Sequence, residues 1–145
     1  MKKILPFLLF SFILCTDPSS SINYSKIIIG NWYEWKRISA EFVNNQWQSD
    51  TSEYTEENTK NVRVITDDII ESYVRLNPSG YQKYYYTYII DKNEIVMVDP
   101  TSNPETYKLS YKEDVLSFEE SDSNWVKISQ FKNYTDSIPP PWKAQ

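Results

Sequence analysis

The chain has no histidine, one cysteine and two glycines in 145 residues, and each shortage closes off a class of function. Without histidine, the commonest general base near neutral pH and a common transition-metal ligand are missing. A lone cysteine, Cys15, cannot form a disulfide within the chain, so a folded domain must be held by its core alone. Cys15 also precedes the region expected to fold, which removes a cysteine nucleophile. Adjacent acids at Glu56-Glu57, Asp67-Asp68 and Glu119-Glu120 would point to opposite faces of a strand. No spaced Asp/Asn loop of calcium-binding type accompanies them, so they read as solvated turns and edges. A non-enzyme is expected, with no catalytic residue, no metal and no cofactor. Basic residues are short as well: 15 Lys and Arg oppose 20 Asp and Glu, for a formal charge of −5. No basic stripe interleaves with the aromatics, so a nucleic-acid partner is not expected. Helical spacing of apolar residues is not sustained anywhere beyond the N-terminal stretch, which leaves an α/β arrangement little support.

What the chain does have is rings. Aromatic residues make up 16% of it, twelve of them Tyr, a composition suited to pleated, half-buried surfaces. The length is right for one domain that buries roughly two-thirds of its unfolded surface.

Met1-Lys2-Lys3 followed by an eleven-residue, largely apolar region, 4–14, reads as an export signal too short to span a bilayer. Discounting Lys2 and Lys3 leaves 13 basic against 20 acidic residues, or −7. Cys15 ends the apolar run and a polar stretch, Thr16-Asp17-Pro18-Ser19-Ser20-Ser21, follows it. This arrangement resembles a bacterial lipoprotein signal, although Leu14 and Phe12 stand where such signals usually have a small residue and a leucine. The resemblance implies acylation of Cys15 and attachment to the bacterial cell envelope, at the outer membrane or facing the periplasm. Residues 15–28 would then be the lipidated cysteine and a polar tether.

From Gly30 the sequence breaks into eight strand-like runs: 30–42, 62–65, 69–76, 81–90, 94–98, 106–112, 115–120 and 125–131. Most are joined by short turn chemistry, as in an antiparallel meander. The turn Asn77-Pro78-Ser79-Gly80 fits type I geometry. The polar segment 44–60 is expected to be a mobile loop over one end, with Trp47 and Tyr54 as lid anchors. Residues 133–145, with Pro139-Pro140-Pro141-Trp142, are expected to leave the last strand as an extended polyproline tail. The predicted fold is all-β: an eight-stranded antiparallel up-and-down β-barrel over 29–132, because closure pairs both edge strands.

Alternation assigns the faces. In the first strand Trp32, Glu34, Lys36 and Ile38 share one face, and Tyr33, Trp35 and Arg37 the other. Tyr107, Leu109 and Tyr111 point in, as do Leu116 and Phe118. Ile70, Val74 and Leu76 are expected inside, with Glu71, Tyr73 and Arg75 in solvent. In 81–90 the faces stay open, with Tyr84, Tyr86 and Tyr88 on one side and Tyr81, Tyr85 and Ile89 on the other.

Gly30-Asn31-Trp32 at the start of the first strand, a long first connection and eight meander strands together resemble the lipocalin-like (calycin) barrels, particularly small lipocalin-like domains of bacterial lipoproteins. The resemblance implies that Trp32, with Gly30 beside it, closes the barrel bottom and that a basic residue of the last strand, here Lys127, stacks on it. It further implies a small hydrophobic or amphipathic ligand, lined by Tyr84, Tyr86, Tyr88, Tyr107, Leu109, Tyr111, Leu116 and Phe118. The other reading is an envelope interaction or structural lipoprotein whose rings fill the barrel, with a protein partner the sequence does not identify.

Overall fold

Strand propensity is realised along most of the described residues. A computed structural model, describing residues 22–76 and 80–134, has one short helix, α1 (Tyr24–Ile27), and nine strands. These are β1 (Gly30–Val43), β2 (Gln46–Glu53), β3 (Asn61–Ile65), β4 (Ile69–Arg75), β5 (Tyr81–Asp91), β6 (Glu94–Val98), β7 (Glu105–Lys112), β8 (Val115–Ser121) and β9 (Trp125–Asn133). The leader with Cys15, the turn residues 77–79 and the tail motif 139–142 lie outside the described residues.

Every pairing is antiparallel, in the order β2-β1-β3-β4-β5-β6-β7-β8-β9, and β9 returns to β1. Eight strands, β1 and β3 to β9, therefore close into the barrel that the sequence predicts. The ninth is a correction. Segment 44–60 is not one long loop, because Asn44 and Asn45 take φ of 52° and 62°, the positive pair that a two-residue hairpin turn requires. From there β2 pairs back along β1, from Val43↔Gln46 to Lys36↔Glu53. Trp47 is 53% exposed and packs on Phe42 at 5.5 Å between ring centroids, at the hairpin tip. The Tyr54 backbone N–H donates to the Trp35 carbonyl at 2.7 Å. The same edge of β1 pairs with β3 lower down, from Gly30↔Ile65 to Tyr33↔Val62.

β1 also carries a bulge: its register on β9 slips between Glu34 and Lys36. One extra residue reverses the alternation beyond it. Glu34 pairs with buried Phe131, and after the bulge Arg37, Ser39 and Glu41 pair with Ser129, Lys127 and Trp125. Lys36 and Ile38 thus leave the face of Trp32 and Glu34, and Arg37 joins it, opposite to simple alternation.

One end of the barrel is sealed. The turns at 66–68, 92–93 and 113–114 gather there with α1, and Ile28, Trp32, Ile65, Ile70, Ile95, Leu109, Leu116 and Phe131 form its apolar plug. The Trp32 indole Nε1 donates to the Ile28 carbonyl at 2.7 Å and meets Tyr111 edge-on at 6.5 Å. Gly30 has φ of 149°, and a Cβ there would stand 3.3 Å from Asn133 Nδ2 and 3.4 Å from Trp32 Nε1. Strained backbone and close approach both require glycine here. Tyr24 packs on this plug and Ile28 is 0% exposed, so the end of the expected tether belongs to the folded body. At the other end of the chain β9 reaches Asn133 and Tyr134 is buried.

Two expectations around β4 are corrected. Tyr73 does face outward, but it is buried with Val62 beneath Tyr134 in a small cluster on the outer wall. Leu76, expected inside, is 43% exposed just past the strand end.

Candidate functional site

The inner wall of the barrel is built by alternate residues of eight strands, and register fixes which ones. On β5 the ambiguity resolves: Tyr84 and Tyr86 pair with Ser72 and buried Ile70, and Tyr88 with buried Met97. Their odd-numbered neighbours turn outward, with Tyr85 and Ile89 exposed. Tyr107, Leu109, Leu116 and Phe118 are buried, and Tyr111 packs against the same core. All eight residues singled out from the sequence share the inner face.

They occupy two different depths. Tyr88, Leu109, Tyr111 and Leu116 belong to the sealed half: the Tyr88 hydroxyl donates to the Thr66 carbonyl, and that of Tyr111 to Asp114 Oδ1 at 3.0 Å. Tyr84, Tyr86, Tyr107 and Phe118 stand higher, around a residue that the sequence reading did not single out, Arg63. It is 7% exposed, and its guanidinium carbon lies 4.2 Å, 4.8 Å and 5.8 Å from the ring centroids of Phe118, Phe131 and Tyr107. Burial lowers the affinity of Arg63 for its proton, an effect opposed by Tyr107 and Glu34.

Above this layer the wall turns polar. Glu34, fully buried, accepts two hydrogen bonds from Arg37, at 2.8 Å from Nε and 2.6 Å from Nη2. The Tyr107 hydroxyl donates to Glu105 at 2.6 Å, and burial followed by that contact holds the phenol well above its ordinary value. Burial and Glu105 also push Tyr86 up. Ser72 donates to Asn61 Oδ1 at 3.0 Å. Towards the β1–β2 hairpin, Ser39, Glu41, Gln48, Ser49 and Asp50 line a groove of about 330 Å³. A cation, aromatic rings, phenol hydroxyls and hydrogen-bonded carboxylates thus meet in this half of the barrel.

Lys127 does not stack on Trp32. It pairs in register with Ser39 and Glu120 and makes a 2.7 Å ion pair with Glu120, at the polar end. The sealed end is instead closed by Ile28, Tyr111 and Asn133 around the indole. A lysine does lie over a tryptophan on the outer wall, where Lys132 Nζ is 4.0 Å from the ring centroid of Trp35. Both line an outer groove of about 480 Å³ with Lys112, Ser117 and Gln130.

No family model matches the chain, and no curated protein matches it in sequence. Its fold is that of a lipocalin-like barrel: it is similar to the crystal structure of a lipocalin-like protein from Bacteroides uniformis, with TM-score 0.51 and 11% identity over 74% of this chain and 99% of the other. A protein from Bacteroides eggerthii is also similar, with TM-score 0.48 and 10% identity over 73% and 98% of the two chains.

Proposed function

We propose that this lipocalin-like barrel is a non-enzymatic binder of a small hydrophobic or amphipathic molecule, working at the bacterial envelope and held there by a lipid on Cys15. The observation that carries the binding reading is the asymmetry of the barrel interior. One end is plugged by Trp32 and its neighbours, while the other presents Tyr84, Tyr86 and Tyr107 beneath a polar rim. An apolar wall with a few placed polar groups is the usual character of a small-molecule site. The anchor rests on the sequence around Cys15, and several acyl chains there would make attachment effectively permanent.

A second reading is favoured by the hairpin tip, where Phe42, Val43 and Trp47 are 43%, 38% and 53% exposed. Large apolar groups grouped at a tip suit contact with a protein partner. Titration with fluorescent apolar and amphipathic probes separates the two. Saturable binding lost on narrowing the upper wall, for example with Ser72→Trp, supports the carrier; no binding by any probe, with the domain folded, supports the interaction module. For the anchor, Cys15→Ala is expected to move the protein from the membrane to the soluble fraction, and unchanged fractionation would refute it.

A further inference from the structure

Among the described residues three cations lie on the inner face, Arg37, Arg63 and Lys127, and two of them are matched. Glu34 holds Arg37 and Glu120 holds Lys127. Arg63 is different: its Nε and Nη1 are enclosed and have no hydrogen-bond partner among the described residues. The rings of Phe118, Phe131 and Tyr107 attract the guanidinium charge, but a ring face does not replace an acceptor lying in the guanidinium plane. Two carboxylates act on it through space, Glu34 and Glu105, and these are engaged with Arg37 and the Tyr107 hydroxyl. A buried cation with free in-plane donors is costly to keep unless something completes it.

We infer that Arg63 is the anchor for an anionic ligand, a small carboxylate whose head takes the free N–H edge of the guanidinium and whose apolar part lies against Tyr84, Tyr86, Tyr107 and Phe118. This rests on the ligand-binding reading above and adds to it the ligand's charge, its chemical class and the depth of its head. Nε and Nη1 each share an edge of the guanidinium with Nη2, Nε side-on and Nη1 end-on, and either edge matches a carboxylate with two parallel donors. In register Arg63 pairs with Trp32 of the plug on one side and with Ser72 on the other, so the head sits just above the plug and below the polar rim. Such a ligand is no free hydrocarbon carrier's cargo: its apolar part must be compact, because the wall beyond Arg63 turns charged again at Glu34, Arg37 and Glu105.

The test uses the protein refolded from denaturant to strip bound molecules, titrated calorimetrically with 2-naphthoate, 2-naphthamide and 2-naphthyl phosphate. Wild type is expected to bind the carboxylate at least about tenfold tighter than the uncharged amide. Arg63→Gln is expected to erase that preference while leaving amide affinity within about twofold, since only the charge-assisted bonds are lost. Arg63→Met should raise the melting temperature of the ligand-free protein, because an uncompensated buried charge is removed. A purely structural arginine gives the reverse: a lower melting temperature and no change in preference. If wild type binds neither naphthoate nor naphthamide, the carrier reading itself fails. If it binds both equally, or Arg63→Gln keeps the preference, the Arg63 assignment falls and the carrier reading stands. Tighter binding of the phosphate overturns the carboxylate class. Loss of the fold in both variants assigns Arg63 to structure and also overturns the inference.

Discussion

Trp32 makes two separable contributions, the burial of a large ring and one hydrogen bond to the Ile28 carbonyl. Trp32→Phe removes the second and is expected to cost about 1–3 kcal/mol, whereas Trp32→Ala should cost about 3–5 kcal/mol by opening a cavity in the plug. Chemical denaturation measures both. The Glu34–Arg37 pair calls for a double-mutant cycle. Arg37→Met leaves a fully buried carboxylate without its partner and is expected to destabilise by about 3 kcal/mol or more, while Glu34→Gln with Arg37→Met should recover much of that loss. A double mutant no more stable than Arg37→Met would show that the pair is not coupled. At this scale Trp32 was legible from its neighbour Gly30, but Arg63 was not. It stands between Val62 and Val64, and such alternation suggests valines inside and arginine outside. The barrel reverses this because the outer valines are covered: Val62 is buried with Tyr73 and Tyr134.

Among the elements, the β1–β2 hairpin departs furthest from expectation. An exposed edge strand need not alternate, and β2 holds one large apolar residue, Trp47, among Gln, Ser, Asp, Thr and Glu. Hydrophobic pattern therefore could not reveal it. The signal that could was Asn44-Asn45, since asparagine tolerates the positive φ of a tight hairpin turn. Asn45→Val should weaken the turn by about 1–2 kcal/mol, because a β-branched residue is strained at positive φ. Hydrogen exchange should show the loss along Lys36–Glu53 pairing while the core amides stay protected; uniform loss across the barrel would contradict a locally stabilised hairpin. The meander from β4 to β9 was legible because most inward positions of those strands are apolar or aromatic and all but one of their turns, Glu113-Asp114, carry Gly, Pro or Asn.

For the whole molecule, tyrosine burial sets an alkaline limit. Burial, with Glu56 and Tyr33, pushes Tyr134 up to about 12 from an ordinary value of 10.0, and Tyr107, Tyr86, Tyr73 and Tyr33 are raised as well. A raised phenol is favoured neutral in the folded state, so its stabilisation is complete below pH 10 and is lost as pH climbs towards 12. Tyrosinate absorbance is expected to rise in two stages, exposed phenols first and the buried set together with loss of the β-sheet signal. A single stage with the sheet intact would contradict the burial described. Closure into a barrel was legible at this scale because eight consecutive short strands have no better way to pair their edges.

The single unpaired residue at Trp35 divides β1 into two reading frames. Below it even positions look into the barrel, and above it odd ones do. Deleting that residue would let Lys36 follow Glu34 directly against Gln130 and keep every face above it; ironing the bulge out with the residue kept would instead turn Lys36 and Ile38 inward and expel Arg37 from Glu34. The one residue in excess thus places the polar rim inside, and loss of that codon would leave the rim where it is.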